Sequence, residues 1–204
     1  MLHVKHSSTS NDASREAFAR FEPYLDLLAR WNRTINLIGR ADMPHAAARH
    51  LADALQLQPL IPQGTARGID LGSGAGFPGL VLAAATGLPF DLIEADQRKA
   101  AFLREAARVL GAPVQVHATR IEAVDLAPAP LVTARALAPL PRLLELAAPL
   151  LAAGGTALFP KGASVAAELT AAARRWHMRV DQVPSHTEAG AVILRITEIA
   201  RVPA

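Results

Sequence analysis

The feature that most constrains the fold is a glycine-rich segment, residues 68–79 (GIDLGSGAGFPG), that joins a predicted strand to a predicted helix. That helix is predicted to start near Pro78. Glycines let the chain turn sharply and let a ligand approach the backbone with no Cβ in the way. A strand, a glycine loop and a helix in this order predict an α/β sheet with a ligand site at the carboxyl ends of its strands.

Strands and helices alternate through the rest of the chain. Strands are predicted over residues 67–71, 89–95, 113–118, 131–134 and 155–159, and helices over residues 78–86, 97–110, 140–151 and 164–174. No helix separates two final strands, residues 177–183 and 191–199, so we expect an antiparallel hairpin. The sequence therefore predicts an α/β, Rossmann-like fold with a mostly parallel seven-stranded sheet and an antiparallel C-terminal strand.

The segment before the sheet is predicted to be helical. Its first helix, residues 12–33, is kinked or divided at Pro23 and has an apolar stripe formed by Phe18, Phe21, Leu25, Leu28 and Trp31. A second helix is predicted over residues 44–57. We therefore expect three parts: a flexible N-terminus at residues 1–11, a helical extension at residues 12–64, and an α/β ligand-binding domain at residues 65–204.

The composition says more about the protein's cellular compartment than about any reaction that it catalyses. The 204 residues contain no cysteine, which excludes disulfides and thiolate chemistry and favours a reducing cytoplasm. No segment has the pattern of a signal peptide or a membrane span, and the histidines lack metal-ligand spacing. A net charge of +3 is compatible with a polyanionic partner but is also common among soluble enzymes. We expect a monomer with no metal and no membrane association.

Two cofactors fit the glycine loop. Gly74, Gly76 and Gly79 satisfy the dinucleotide fingerprint G-x-G-x-x-G, with Glu94 20 residues beyond Gly74. Alternatively, an acid inside the strand precedes alternating glycines, a pattern typical of S-adenosylmethionine sites, here Asp70, Gly72, Gly74 and Gly76. A carboxylate such as Glu94 suits the ribose of either cofactor, and the C-terminal hairpin favours S-adenosylmethionine. A tight turn that binds no ligand is the third possibility.

Four blocks of sequence resemble one family, the ribosomal small-subunit methyltransferase G family, also called glucose-inhibited division protein B. They are Leu28–Leu37 (LARWNRTINL), Arg49–Asp53 (RHLAD), Asp70–Gly79 with its GFPG ending, and Ala134–Ala138 (ARALA). They follow the family's order from about residue 25, and weaker agreement extends to residue 162. Ala134 and Leu137 replace the family's usual serine and phenylalanine.

The resemblance implies methylation of guanine N7 in 16S (small-subunit) ribosomal RNA, either as free RNA or in the assembled subunit. Carried over to this sequence, the cofactor site comprises Asp70, Gly72, Gly74, Gly76, Phe77, Glu94, Ile121, Glu122 and Arg135. Residues 65–204 then form an S-adenosylmethionine-binding methyltransferase domain. Candidate RNA contacts are Arg30, Arg33, Arg40, Arg49, His50, Arg135 and Lys161.

The chemistry of guanine N7 explains why the sequence offers no acid–base pair. N7 has an in-plane lone pair and no proton, so its methylation needs alignment rather than a general base. We therefore assign no catalytic residue. Three other interpretations remain open: a methyltransferase of protein or small molecules, a ribosome-binding factor without turnover, and a dinucleotide-dependent reductase.

Overall fold

The structure is a computed structural model that describes residues 18–39 and 43–203, of which residues 43–47 are described by their backbone only. The flexible N-terminus predicted at residues 1–11 and the RNA contact predicted at Arg40 lie outside these ranges. Seven strands form one sheet: β1 Gly68–Leu71, β2 Phe90–Ile93, β3 Val114–His117, β4 Ala129–Ala134, β5 Leu151–Lys161, β6 Trp176–Pro184 and β7 Val192–Arg201. All seven predicted strands are confirmed.

The strands lie in the order β3-β2-β1-β4-β5-β7-β6. The first five in this order are parallel, and β7 is antiparallel to both β5 and β6, which confirms the predicted hairpin. From β1 the chain adds β2 and then β3 on one side, and it then returns to place β4 on the other side of β1. Ligands of open α/β sheets bind where the winding reverses, at the carboxyl ends of the strands. The glycine loop after β1 lies at this point.

Six helices are described: α1 Glu22–Trp31, α2 Met43–Leu55, α3 Gly79–Thr86, α4 Gln97–Leu110, α5 Leu140–Ala147 and α6 Val165–Ala173. They cover both faces of the sheet, with α1 to α4 on one core and α5 and α6 on the other. Successive strand residues point to opposite faces, so Leu131 belongs to the first core and Val132 to the second. Within the described residues, no helix combines the length and the apolar surface that crossing a bilayer requires.

The two helices of the extension pack into the first core. Tyr24 and Leu51 are fully buried there together with Phe102 of α4. The Tyr24 hydroxyl donates a hydrogen bond to the Ala75 carbonyl at 2.7 Å, and burial raises the pKa of Tyr24 well above its usual value. The extension is therefore anchored directly on the glycine loop.

Prolines set two of the helix boundaries. A turn at residues 20–21 separates helical residues 18–19 from α1, and Pro23 occupies the first turn of α1, which confirms the predicted division there. The predicted helix over residues 140–151 is too long: α5 ends at Ala147 and a 3-10 turn, Ala148–Leu150, follows. Pro149 cannot continue the α-helical hydrogen bonding, so β5 begins at Leu151, earlier than predicted.

Candidate active site

The glycine loop turns through backbone conformations that glycine adopts without strain. Positive φ angles occur at Gly72 (63°), Gly74 (54°) and Gly76 (98°). A Cβ at Gly72 would also lie 2.7 Å from Cδ1 of Leu137, and a Cβ at Gly79 would lie 2.4 Å from the Cβ of Asp70. Glycine is therefore required both for the turn and for close contact with β1 and with the loop after β4.

Asp70 is a buried acid beneath the loop, with 1% of its surface exposed. Its Oδ1 accepts a hydrogen bond from Thr133 Oγ1 at 2.6 Å, whereas Oδ2 has no partner among the described residues. Burial raises the pKa of Asp70 to about 6, although hydrogen bonds from Thr133, Ser73 and the Gly79 backbone and the positive charge of Arg135 oppose the rise. A carboxylate buried in this way is costly to ionise.

Glu94 follows β2 and braces the glycine loop. One oxygen, Oε2, accepts a hydrogen bond from the Gly74 amide at 2.9 Å, and Oε1 accepts one from the Asp96 amide at 2.8 Å. Each carboxylate oxygen retains a second lone pair. Glu94 can therefore hold the loop and accept hydrogen bonds from a ligand's hydroxyl groups at the same time.

A first cavity of about 560 Å³ opens at the carboxyl ends of β1 to β4. Its lining includes Gly72, Gly74, Glu94, Lys99, Ile121, Glu122, Arg142 and the loop residues 135–138. Glu122 lies on the short 3-10 turn after β3 and forms a 2.5 Å ion pair with Arg142 of α5. The cavity thus has a hydroxyl-accepting carboxylate at its glycine end and an ion pair at its other side.

A second cavity of about 580 Å³ lies on the opposite side of residues 135–138, which line both cavities. Its other walls come from α2, the end of β5, the start of α6 and the turn between β6 and β7, and include Arg49, His50, Asp53, Lys161, Glu168 and Thr187. Ala136 in the shared wall has a φ of 52°, a strained conformation for a residue with a Cβ. The two cavities therefore adjoin across one short, strained loop.

Arg135 is the charged residue of the shared wall, and its side chain is 19% exposed. Its Nη1 donates to His50 Nδ1 at 2.8 Å and to Asp53 Oδ2 at 3.2 Å. Its guanidinium carbon lies 5.3 Å from the centre of the Phe77 ring. Burial lowers the pKa of Arg135, and the charge of Asp53 opposes this shift. The hydrogen bonds that hold the guanidinium therefore come from α2 of the helical extension.

Lys161 is held inside the second cavity by its own neighbours. Its Nζ donates to the Ala138 carbonyl and to Glu168 Oε2, both at 2.8 Å. Glu168 also accepts from the Leu140 amide at 2.7 Å and from the Ser164 hydroxyl at 2.7 Å. Burial would raise the pKa of Glu168, but these hydrogen bonds outweigh it and the pKa lies below its usual value. The pair ties the shared wall to β5 and α6.

The structure brings most of the predicted site residues to the cavities. Those lining the first are Gly72, Gly74, Glu94, Ile121, Glu122 and Arg135, and those lining the second are Arg49, His50, Arg135 and Lys161. Five predicted residues among those described line neither cavity: Asp70 and Gly76 are buried at the glycine loop, Phe77 packs beneath Arg135, Arg33 is exposed just after α1, and Arg30 lies elsewhere on α1. Arg30 lines a separate groove between α1 and α4.

Sequence reasoning missed Asp53, Thr187, Glu168 and Arg142. Asp53 stood inside the Arg49–Asp53 block, and its position one helical turn after His50 was an available signal. Thr187 carried no local signal, because its partner Asp53 lies 134 positions away in the chain. Glu168 lies seven positions after Lys161, and this nearby opposite charge was an available signal.

The sheet order distinguishes between the two cofactors that fit the glycine loop. Dinucleotide-binding sheets have the order 3-2-1-4-5-6, whereas here an antiparallel β7 is inserted between β5 and β6. This order, the glycine loop after β1 and the acid after β2 define a class I S-adenosylmethionine-dependent methyltransferase.

Solved structures agree with this class. An O-methyltransferase from Bacillus cereus, solved in complex with SAH, superposes with a TM-score of 0.56 at 16% identity, covering 86% of this chain and 90% of that chain. A ribosomal protein L11 methylase from Lactobacillus delbrueckii subsp. bulgaricus gives 0.60 at 14% identity, covering 78% and 80%. At these identities the similarity establishes the fold.

Sequence comparison then identifies the family. The profile described as rRNA small subunit methyltransferase G matches residues 17–194. Proteins named ribosomal RNA small subunit methyltransferase G are 56% identical in Granulibacter bethesdensis, over 93% of this chain and 89% of the relative, and 52% identical in Gluconobacter oxydans, over 93% and 97%. The chain belongs to the rRNA small subunit methyltransferase G family, which confirms the resemblance found in the sequence.

Proposed function

We propose that the protein transfers a methyl group from S-adenosylmethionine to N7 of a guanine in 16S ribosomal RNA, as an rRNA (guanine-N7)-methyltransferase. The observation that carries this proposal is the pair of adjoining cavities that share residues 135–138. A methyl transfer needs a donor and an acceptor on either side of one reacting carbon. Two cavities meeting at one loop supply that arrangement within a family whose relatives are named as rRNA methyltransferases.

The first cavity suits S-adenosylmethionine. The spare lone pairs of Glu94 can accept the ribose hydroxyls, and Ile121 and Glu122 lie where the adenine would extend beyond the ribose. The positive-φ glycines leave room for the methionine portion beside the loop backbone. Gly76 and Phe77 shape this site from beneath, and the free Oδ2 of Asp70 adds a negative charge under it.

The second cavity suits the acceptor base. Side chains cannot read the deep, narrow major groove of A-form RNA, where N7 lies, so the target guanine must be unpaired or turned out into a pocket. Arg135 can donate to the guanine O6 from the shared wall. We propose Arg33, Arg49 and Lys161 as further RNA contacts, with Arg33 outside the cavities on the approach surface.

The chemistry in this arrangement is alignment. The N7 lone pair attacks the methyl carbon while the bond from that carbon to the sulfonium breaks, so the positive charge moves from sulfur to the guanine. No proton is transferred, and the residues contribute by holding the acceptor in line. Because the product is a cation, a positive side chain must meet the base away from N7, as a donor to O6 would.

Three further proposals concern the whole protein. We propose that it acts as a monomer in the cytoplasm on small-subunit RNA, free or assembled. We also propose that residues 12–64 belong to the helical extension and residues 65–204 to the methyltransferase domain.

The test is to incubate the protein with methyl-labelled S-adenosylmethionine and small subunits from a strain that lacks this methylation, then digest the RNA and identify the labelled nucleoside. Label in 7-methylguanosine is the expected result, and subunits from the parent strain, already methylated, should take up little label. Label in another nucleoside, or in ribosomal protein, would contradict the proposed acceptor. If neither the RNA nor the ribosomal protein is labelled although the protein binds the cofactor, the proposal that it methylates the small subunit is contradicted.

A further inference from the structure

A network of polar side chains closes the outer side of the second cavity and ends on Arg135. Asp53 of α2 stands at its centre. Its Oδ1 accepts a hydrogen bond from the Thr187 hydroxyl, and its Oδ2 accepts one from Arg135 Nη1 at 3.2 Å. His50 Nδ1 lies 3.7 Å from the same Oδ2. Asp53 therefore links the turn between β6 and β7 to the shared wall.

Gln56, one helical turn after Asp53, makes a second connection to the same turn. Its Nε2 donates to Ser185 Oγ and to Thr187 Oγ1, each at 3.2 Å, and its Oε1 accepts from the His186 amide at 2.9 Å. Ser185 and Thr187 also contact each other through their hydroxyls at 2.8 Å. We call Asp53, Gln56, Ser185 and Thr187 the clip, because they join residues about 130 positions apart in the chain.

The clip holds Arg135 by one nitrogen. The hydrogen bonds that the described residues make with its guanidinium run through Nη1, which leaves Nη2 and Nε to donate to a ligand. A guanidinium is planar, so fixing one nitrogen and stacking the plane near Phe77 fixes the direction of the other donors. The orientation of those donors therefore depends on where Asp53 is held.

The carboxylate of Asp53 also offsets the charge of Arg135. Burial would raise the pKa of Asp53, but its contacts with His50, Thr187 and Arg135 outweigh burial and hold the pKa below its usual value. Asp53 is thus an anion next to Arg135, and both side chains are less than one-fifth exposed. An uncompensated cation at this wall would oppose the positive charge that forms on the base.

We propose that Asp53 is a positioning residue for methyl transfer, and that the Thr187 hydroxyl sets its orientation and through it the orientation of Arg135. This proposal rests on the proposed function, because the reaction it affects is methylation of the acceptor base. It assigns a role to the extension and to the hairpin: together they orient the arginine of the shared wall. Both Asp53 and Thr187 line only the second cavity, so we expect a larger effect on turnover of the acceptor than on cofactor binding.

The test uses a matched pair at one position. Thr187→Val keeps the shape of threonine and removes its hydroxyl, whereas Thr187→Ser keeps the hydroxyl. Loss of one hydrogen bond to a charged group predicts a fall in kcat of about tenfold for Thr187→Val, with Thr187→Ser close to the wild type. Asp53→Asn should lower kcat further, because it also removes the charge. The dissociation constant for S-adenosylmethionine and the Tm of the Thr187 variants should change little.

Asp181→Asn, on the exposed face of the same hairpin, is the control for loss of a carboxylate away from the cavity. Wild-type kcat in Thr187→Val would overturn the proposal, and so would equal losses in the valine and serine variants. If Thr187→Val fails to fold, Asp53→Asn with a normal Tm and normal kcat would overturn it as well. A wild-type protein that leaves guanine N7 unmethylated would refute the proposed function instead, and the two failures are thereby distinguished.

Discussion

The two cavities meet at one loop but are built in different ways. The first is formed mainly by the segments that follow β1, β2, β3 and β4, together with residues of α4 and α5. The second combines the loop after β4 and the end of β5 with α2, α6 and the turn between β6 and β7, which are distant in the chain. Under the proposed function, the difference teaches that the cofactor side comes mainly from the common sheet, whereas the acceptor side also needs the helical extension and the C-terminal hairpin.

Arg135 belongs to both cavities, so changing it should affect both. We expect Arg135→Ala to lower kcat/KM for the small subunit about 100-fold, as losing one donor to a reacting group commonly does, and to weaken cofactor binding as well. Arg135→Lys should recover only part of the loss, because an ammonium lacks the planar donor fork. Steady-state kinetics and calorimetric cofactor binding measure the two effects. Unchanged turnover together with unchanged cofactor affinity would remove Arg135 from the site.

A substitution of Gly72 should test the first cavity alone, because Gly72 lines only that cavity. Gly72→Ala places a Cβ at a φ of 63° and 2.7 Å from Cδ1 of Leu137, so Leu137, which also lines the first cavity, must shift. The backbone strain, about 1–3 kcal/mol, should lower Tm, and the displaced wall should weaken cofactor binding about 10- to 100-fold. Gly87→Ala is the control, since Gly87 has a φ of 74° at the end of α3 with open space around it. It should lower Tm but leave cofactor affinity intact. Equal cofactor affinities in the two variants would contradict the role of Gly72.

Lys161 tests the second cavity in the same way. Lys161→Met keeps the chain length and removes the ammonium that joins Ala138 to Glu168. We expect kcat/KM for the subunit to fall about tenfold, the scale of one charge-assisted hydrogen bond, with little change in the dissociation constant for S-adenosylmethionine. Thr170→Ala, at an exposed position of the neighbouring helix α6, is the control. A larger effect on cofactor binding than on turnover would assign Lys161 to the first cavity.

The smallest expected effect concerns stability. The pKa of Asp70 in the folded protein is about 6, against about 4 in an unfolded chain. The native state therefore holds this proton more tightly, and stability falls as pH rises from about 4 to 6, then remains lower by roughly 3 kcal/mol. Asp70→Asn removes the cost, so we expect its Tm to exceed the wild type by roughly 6–12 °C at pH 8 and by little at pH 4.

The same variant should bind S-adenosylmethionine several times more weakly, because it loses the charge beneath the loop. Asp125→Asn, an exposed acid, is the control for both measurements. A Tm difference that does not depend on pH would show that Asp70 carries no such cost in the folded protein.

The same contrast explains what could be predicted from the sequence. Gly72 and Glu94 were predictable because the strand, loop and helix rule is local and fixes where a glycine loop and the next acid lie. The reversed last strand was predictable because no helix separates residues 177–183 from residues 191–199. The order in which β7 inserts beside β5 was not, because strand order depends on packing over the whole sheet.

The residues of the second cavity lay beyond local rules. Asp53 and Thr187 are 134 positions apart, and no periodicity in the sequence relates them. Lys161 was predicted as an RNA contact from its charge, but its charge alone could not reveal that Glu168 and Ala138 bind its ammonium. Phe77 was predicted by resemblance, and its place beneath Arg135 depends on the buried packing of α1 and α2.

The strained loop at residues 135–138 has a thermodynamic consequence. Because it forms a wall of both cavities, any shift of the loop that improves one binding site alters the other. Linkage is reciprocal: the factor by which a bound acceptor changes the affinity for the cofactor equals the factor by which the cofactor changes the affinity for the acceptor. Under the proposed function, this one turn of backbone would make donor and acceptor each other's effector.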